Sequence, residues 1–152
     1  MKIGIVGKGF VGTAISKGFE SQGHKTICHD VRLETRITDV LDTPITYVCV
    51  PTPSASNGSC NTSIVKSVIV DLDTLNYQGV IAIRSSTVPG FTQSMIDQYP
   101  HLKICFVPEF IRERHAIEDF TLDHKILVVG TQDKDVYDTV AVSYTHLRAH
   151  ET

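Results

Sequence analysis

Three glycines, Gly7, Gly9 and Gly12, stand at GxGxxG spacing near the start of the chain, and an acid, Asp30, follows Gly12 by 18 residues. Together they suit the holding of a dinucleotide. Gly7 permits a tight strand-to-helix turn, Gly9 lets a pyrophosphate approach the backbone, and Gly12 lets the helix lie close to the strand. The free N–H groups of the first helical turn then face the anion, aided by the helix dipole. An acid near this distance meets the adenosine ribose hydroxyls and disfavours a 2′-phosphate, so NAD is expected over NADP. Arg32 tempers that preference, because a nearby arginine accommodates the phosphate. Without a ligand the same residues would be a glycine-rich turn and a solvated strand-end acid. The strand before them and the helix after them favour the dinucleotide.

Those residues need a scaffold, and the chain supplies one in order. Ile3 to Val6 is a short apolar run suited to a buried strand. Phe10, Val11, Ala14, Ile15, Gly18 and Phe19 recur at helical spacing, with Thr13, Ser16, Lys17 and Glu20 opposite and Gly23 at a C-cap. Lys25 to Asp30 reads as a second strand, and Val31 to Thr43 as a charged connection of one or two helical turns. Ile45 to Val50 is a third strand, closed by Pro51-Thr52-Pro53, and a Ser/Asn/Gly loop turns at Asn57-Gly58. Thr62 or Ser63 caps a helix whose apolar face is Ile64, Val65, Val68, Ile69, Leu72 and Leu75. Val80 to Ile83, Lys103 to Val107 and Lys125 to Val129 are expected strands. Between them lie a helix over Thr92 to Tyr99 and a turn over Ala116 to Phe120. The alternation predicts an α/β fold, a doubly wound parallel sheet of Rossmann type over residues 1–140. Ligands of such sheets bind outside the strands' carboxyl ends. The polar clusters fall there: Gly7 to Gly12, Asp30, Pro51-Thr52, Ser86-Thr87 and Glu109 to Glu113.

Composition narrows the partners. At 152 residues, 41% hydrophobic and 20% charged, the chain is about one globular domain. A net charge of −3 without a basic run argues against nucleic acid, and no apolar run approaches membrane-spanning length. The four cysteines show no CxxC spacing, and the N-terminus enters the first strand without a leader. Reduced thiols, no metal and a cytoplasmic location are the expectations. His146 and His150 have i,i+4 spacing but no third ligand in view.

GKGFVG, VCVPTP, SSTVPG and PEFIRE, in this order, resemble the N-terminal NAD-binding domain of the UDP-glucose/GDP-mannose dehydrogenase family. The resemblance covers roughly Met1 to Val140. It implies an NAD-dependent oxidoreductase that takes the C6 alcohol of a nucleotide sugar to a carboxylate in two hydride transfers. Gly7, Gly9 and Gly12 would hold the pyrophosphate, with Phe10 and Val11 donating N–H groups, and Asp30 the ribose. Val50, Pro51, Thr52 and Ser86 would pass beside the cofactor. Thr87, also at the cofactor, would position a water, and Glu109 would act in thioester hydrolysis. Phe110, Ile111 and Glu113 would lie around the sugar, with Glu113 also near the nicotinamide. Water held by a hydroxyl beside a carboxylate that takes its proton is sound hydrolytic chemistry.

The resemblance also implies a central helix, the dimer contact of the full-length protein, and a later domain bearing the catalytic cysteine. None of Cys28, Cys49, Cys60 or Cys105 matches that motif. This chain is therefore expected to be an inactive cofactor-binding fragment, its residues 141–152 a non-native or disordered tail. Val107, Arg114, Asn61 and a short SSTVPG turn depart from the family pattern and bear on sugar specificity. Two other readings stay open: a 3-hydroxyacid dehydrogenase-type NAD domain, and a non-catalytic NAD-binding module.

Overall fold

A computed structural model of the chain describes residues 1–109 and 127–148, with the side chains of the last helix described through Tyr144. The expected turn over Ala116 to Phe120 and the start of the expected sixth strand lie outside these residues. The described strands are β1 (Lys2–Val6), β2 (Lys25–His29), β3 (Ile45–Val48), β4 (Val80–Ile83) and β5 (Lys103–Phe106). The helices are α1 (Phe10–Ser21), α2 (Ser63–Thr74), α3 (Phe91–Gln98) and α4 (Lys134–Arg148). All strand pairs are parallel, in the order β2-β1-β3-β4-β5.

Register puts the strand ends on one line. Val6 pairs with His29 and with Val48, Val48 with Ile83, and Ile83 with Phe106. Every strand thus delivers its following loop to the same edge. The order reverses direction between β1 and β3, the switch point at which such sheets bind ligands.

Side-chain alternation builds a core on each face. Ile45, Tyr47, Val80 and Ala82 point to one face, with Ile15 and Phe19 of α1 and Val136 and Val140 of α4. Val48, Ile81, Ile83 and Ile104 point to the other, with Val65, Ile69 and Leu72 of α2 and Met95 of α3. Each fully buried Val, Leu, Ile, Phe or Met among them contributes about 1.5–3 kcal/mol relative to an exposed position. Helix α1 ends as expected at Gly23, whose φ is +89°. The His24 N–H bonds the Phe19 carbonyl and the Gly23 N–H that of Glu20, a Schellman closure.

Four details differ from expectation. Phe10 is 49% exposed, whereas Ser16 is buried and bonds Thr26 across to β2. The buried face of the helix therefore includes Ser16 beside Ile15 and Phe19, with Phe10 left at the crevice rim. On α2 the cap position, Thr62, makes no side-chain bond; Asn61 Oδ1 accepts the Ser63 N–H at 3.0 Å instead. Leu127 to Val129 forms no ladder, and the chain returns to the sheet through an antiparallel bridge, Gly130 with Phe106. Finally, the boundary expected at Val140 falls inside α4. Val136, Val140, Ser143 and Tyr144 form one buried stripe at i, i+4, i+7 and i+8, so helix, rather than disorder, continues to Arg148. Ser143 bonds Tyr47 Oη at 2.7 Å, and the Tyr144 ring meets Phe19 edge-on at 5.5 Å. Residues 149–152 lie outside the described part.

Candidate functional site

The glycine turn is built by contact and by open space. Gly7 has φ +94° and donates its N–H to the His29 carbonyl at 2.8 Å. A Cβ there would stand 2.7 Å from the Cys49 carbonyl, so only glycine lets β1, β2 and β3 close on this point. A Cβ on Gly12 would come within 1.9 Å of the Gly7 carbonyl oxygen, which fixes how closely α1 lies on its turn. A Cβ on Gly9 would meet nothing within 4 Å. Gly9 faces open space at the N-cap, no side chain caps α1, and its first turn carries no acid. The N–H groups of Phe10, Val11 and Gly12 therefore stand at a positive helix end with no capping side chain to answer them. The donors and the room suit the pyrophosphate of NAD.

Asp30 closes the second side. It is 7% exposed, and its Oδ2 accepts the Lys8 N–H at 2.7 Å, which ties the end of β2 to the glycine turn. Arg32 adds a two-pronged ion pair, Nε to Oδ1 at 3.0 Å and Nη2 to Oδ2 at 2.9 Å. Bonding to Arg32, with help from the Lys8 N–H, holds this carboxyl well below the usual carboxylate range despite its burial. The acid is ionised and fixed in place.

The opposite wall comes from the loops after β3 and β4. Ser85 Oγ donates to the Val50 carbonyl at 2.7 Å, and the Arg84 and Ser85 N–H groups both bond the Val48 carbonyl. These bonds extend the sheet beyond its last ladder pair and set Val50, Pro51 and Thr52 beside Ser86. The hairpin closed by the Ser54–Cys60 bridge folds back so that Cys60 Sγ meets the Ser86 carbonyl at 3.5 Å and that of Thr52 at 3.9 Å. Lys8, through its backbone, and Ser85 were not singled out as site residues by sequence. A hydroxyl at a strand's carboxyl end is the signal that could have pointed to Ser85.

Thr87 and Glu109 leave the same edge, four residues beyond Ile83 and three beyond Phe106 of a paired register. Both are half-buried, and no hydrogen bond joins them. Glu109 Oε2 is shielded from solvent without a hydrogen-bond partner. Desolvation raises the Glu109 pKa, and the buried Arg84 guanidinium works against that rise. Burial likewise pushes the Cys49 thiol up to about 12, which leaves it a poor nucleophile at neutral pH. Phe110, Ile111 and Glu113 lie outside the described residues. Among the described residues no cluster of three or more His, Cys, Asp or Glu side chains gathers to hold a metal. No described helix is long and apolar enough to cross a membrane.

The sequence profile of the UDP-glucose/GDP-mannose dehydrogenase family, NAD binding domain, matches residues 32–148. UDP-glucose 6-dehydrogenase AglM of Haloferax volcanii is 27% identical over 97% of this chain and 45% of its own length. GDP-mannose 6-dehydrogenase of Pseudomonas aeruginosa is 25% identical over 98% of this chain, again 45% of its own. Among solved structures, a UDP-glucose dehydrogenase from Pyrobaculum islandicum superposes with a TM-score of 0.82 at 22% identity, over 95% of this chain and 44% of that one. The fold agrees. The chain spans a little under half the length of the curated relatives it matches. With its glycine turn, its ionised Asp30 and a profile match over most of its length, the chain belongs to the UDP-glucose/GDP-mannose dehydrogenase family and carries that family's NAD-binding domain.

Proposed function

We propose that this chain is the cofactor-binding half of an NAD-dependent nucleotide-sugar 6-dehydrogenase that oxidises an alcohol to a carboxylate. One observation carries the reading: the open space at Gly9 lies over an uncapped α1 N-terminus, with Asp30 held ionised at the neighbouring strand end. Bound there, NAD would supply the hydride acceptor for oxidation of the sugar carbon.

The residues of the chain then divide the work. The first-turn N–H groups of Phe10 and Val11, with Gly7, Gly9 and Gly12, hold the pyrophosphate. Asp30 holds the adenosine ribose. Val50, Pro51, Thr52 and Ser86 form the wall beside the cofactor, kept in place by Ser85. Thr87 lies against the cofactor and orients a water, and Glu109 takes that water's proton. A carboxyl whose pKa is raised by burial suits such a base better than an ordinary surface acid. Phe110, Ile111 and Glu113 are assigned to substrate binding, and Glu113 to the cofactor as well.

On this reading the cofactor unit runs from β1 through α4. The cysteine nucleophile and the groups that read the nucleotide base belong to the part of the relatives' length that this chain does not span. A homodimer, a nucleotide-sugar substrate and a cytoplasmic setting belong to the whole protein. Calorimetric titration tests the cofactor reading: NAD binds weakly to the 152-residue chain, and no binding at millimolar NAD would overturn it. Incubation with NAD and UDP-glucose or GDP-mannose should give no NADH. Clear NADH production would refute the division of labour between the two halves.

A further inference from the structure

Arg84 is a cation buried at the end of a central strand. It stands one residue past Ile83 and is 5% exposed. Its N–H bonds the Val48 carbonyl, and the Val107 N–H bonds the Ile83 carbonyl, both at 2.9 Å, so the ladders on either side of β4 run on past it. That continuation sets Arg84 between Cys49 and Val107, on the face it shares with Ala82 by strand alternation. There its Nη1 donates to Tyr144 Oη of α4 at 2.6 Å. A guanidinium does not discharge in a protein, so one taken out of water calls for a counter-charge. The described groups whose charges bear on it are Tyr144, Tyr47, Cys49 and Glu109. Burial raises both phenols and the thiol, Cys49 to about 12, so those three stay neutral near neutral pH. Glu109, two residues past Val107, is the acid of the set, and its Oε2 is shielded without a hydrogen-bond partner.

We propose that Arg84 is the positioning residue of the Glu109 base: its guanidinium, tied to Tyr144 under the carboxyl edge of the sheet, is the counter-charge that keeps the Glu109 carboxylate in the site and ready for a proton. This deepens the reading of the chain as a cofactor half and rests on it, through Glu109 as the acid that takes a water's proton. Two demands on such a base conflict. Removal from water makes it a stronger base, but too much removal leaves it already protonated at working pH. A buried cation on the next strand resolves the conflict, because it favours the charged form through the protein interior. Oε2, bonded to no donor, stays free to take the proton.

The test follows the Glu109 carboxyl by carbon NMR in a pH titration of the 152-residue chain, its signal identified by its loss in Glu109→Gln. In Arg84→Met the Glu109 carboxylate should bind its proton about tenfold more tightly than in wild type. Arg84→Gln, also uncharged, should do the same and serves if Arg84→Met fails to fold. Arg84→Lys keeps the charge and should titrate close to wild type. A Glu109 titration unmoved in the uncharged variants, in a chain that binds NAD by calorimetry, overturns the inference alone. So does a change in Arg84→Lys as large as that in Arg84→Met, since lost packing and not lost charge would then be the cause. A wild-type chain that binds no NAD overturns the cofactor reading and, with it, the role given to Arg84.

Discussion

The two edges of the sheet treat their polar groups in opposite ways. At the amino-terminal edge Thr43, Thr46 and Tyr77 are buried, and they satisfy one another. Tyr77 Oη donates to the Thr43 carbonyl at 2.9 Å and lies 3.0 Å from Thr46 Oγ1, while Thr43 Oγ1 donates to the Val40 carbonyl at 2.7 Å. At the carboxyl-terminal edge α1 has no capping side chain, Gly9 opens onto empty space, and Glu109 keeps a shielded oxygen without a partner. Closed networks of that first kind stabilise a fold, and open donors and acceptors of the second kind await a ligand. The same sheet thus carries a closed polar network at one edge and, about one strand length away, open polar groups beside the satisfied Asp30 and Ser85.

That contrast can be broken at either edge, and within the glycine turn itself. Gly12→Ala drives a Cβ into the Gly7 carbonyl, so it should lose about 2–3 kcal/mol of stability in urea unfolding, beyond any gain in helix propensity. Gly9→Ala should leave stability within about 1 kcal/mol while weakening NAD about a hundredfold, because its methyl fills the pyrophosphate space. If Gly9→Ala binds NAD normally by calorimetry, the open space is not the cofactor's. Tyr77→Phe should cost about 1–2 kcal/mol in thermal unfolding and leave NAD affinity untouched, since its partners lie at the other edge. Ser85→Ala removes the bond to the Val50 carbonyl and should cost about 1 kcal/mol. It should also weaken NAD a few-fold, and a loss of stability without that weakening would make Ser85 a structural residue only.

Stability should also depend on pH, through two acids that oppose one another, and the smallest effect is that of Glu109. Asp30 is depressed in the folded chain, so its stabilisation is present above the ordinary carboxylate range and is lost as pH falls through its lower folded value. Glu109 is raised, so the folded chain is favoured below the ordinary value of 4.5 and loses that advantage as pH climbs through the higher folded value. Glu109→Gln should therefore gain in melting temperature relative to wild type as pH rises from about 4.5 towards neutrality. The gain should be well under about 1 kcal/mol, because the side chain is only half-buried. A difference that shrinks with rising pH would contradict the assigned shift.

Much of this was legible before any coordinates. Gly7, Gly9 and Gly12 announced their turn because no other residue permits that backbone and that approach. The strand runs were legible because strands buried on both faces read as continuous apolar segments. Phe10 and Ser16 were read the wrong way round, since a helical stripe gives a face and not the depth of each position on it. Residues 141–148, expected as tail, continue α4 for a related reason. Val142 and its neighbours depart from the family pattern, yet Ser143 and Tyr144 fall on a buried stripe.

Sequence by itself determined the fold class, the cofactor turn and the identity of the acid beside it, because each depends on local geometry and on short, fixed spacings. Tertiary structure decided what those residues face. Only strand register aligned the loops after β1, β3, β4 and β5 along one edge, and only packing showed that Gly9 is open where Gly12 is closed. It also brought the Lys8 N–H of the glycine turn onto the Asp30 carboxylate. Spacing places a residue along the chain, but the partner on its carboxylate depends on how two turns meet in space.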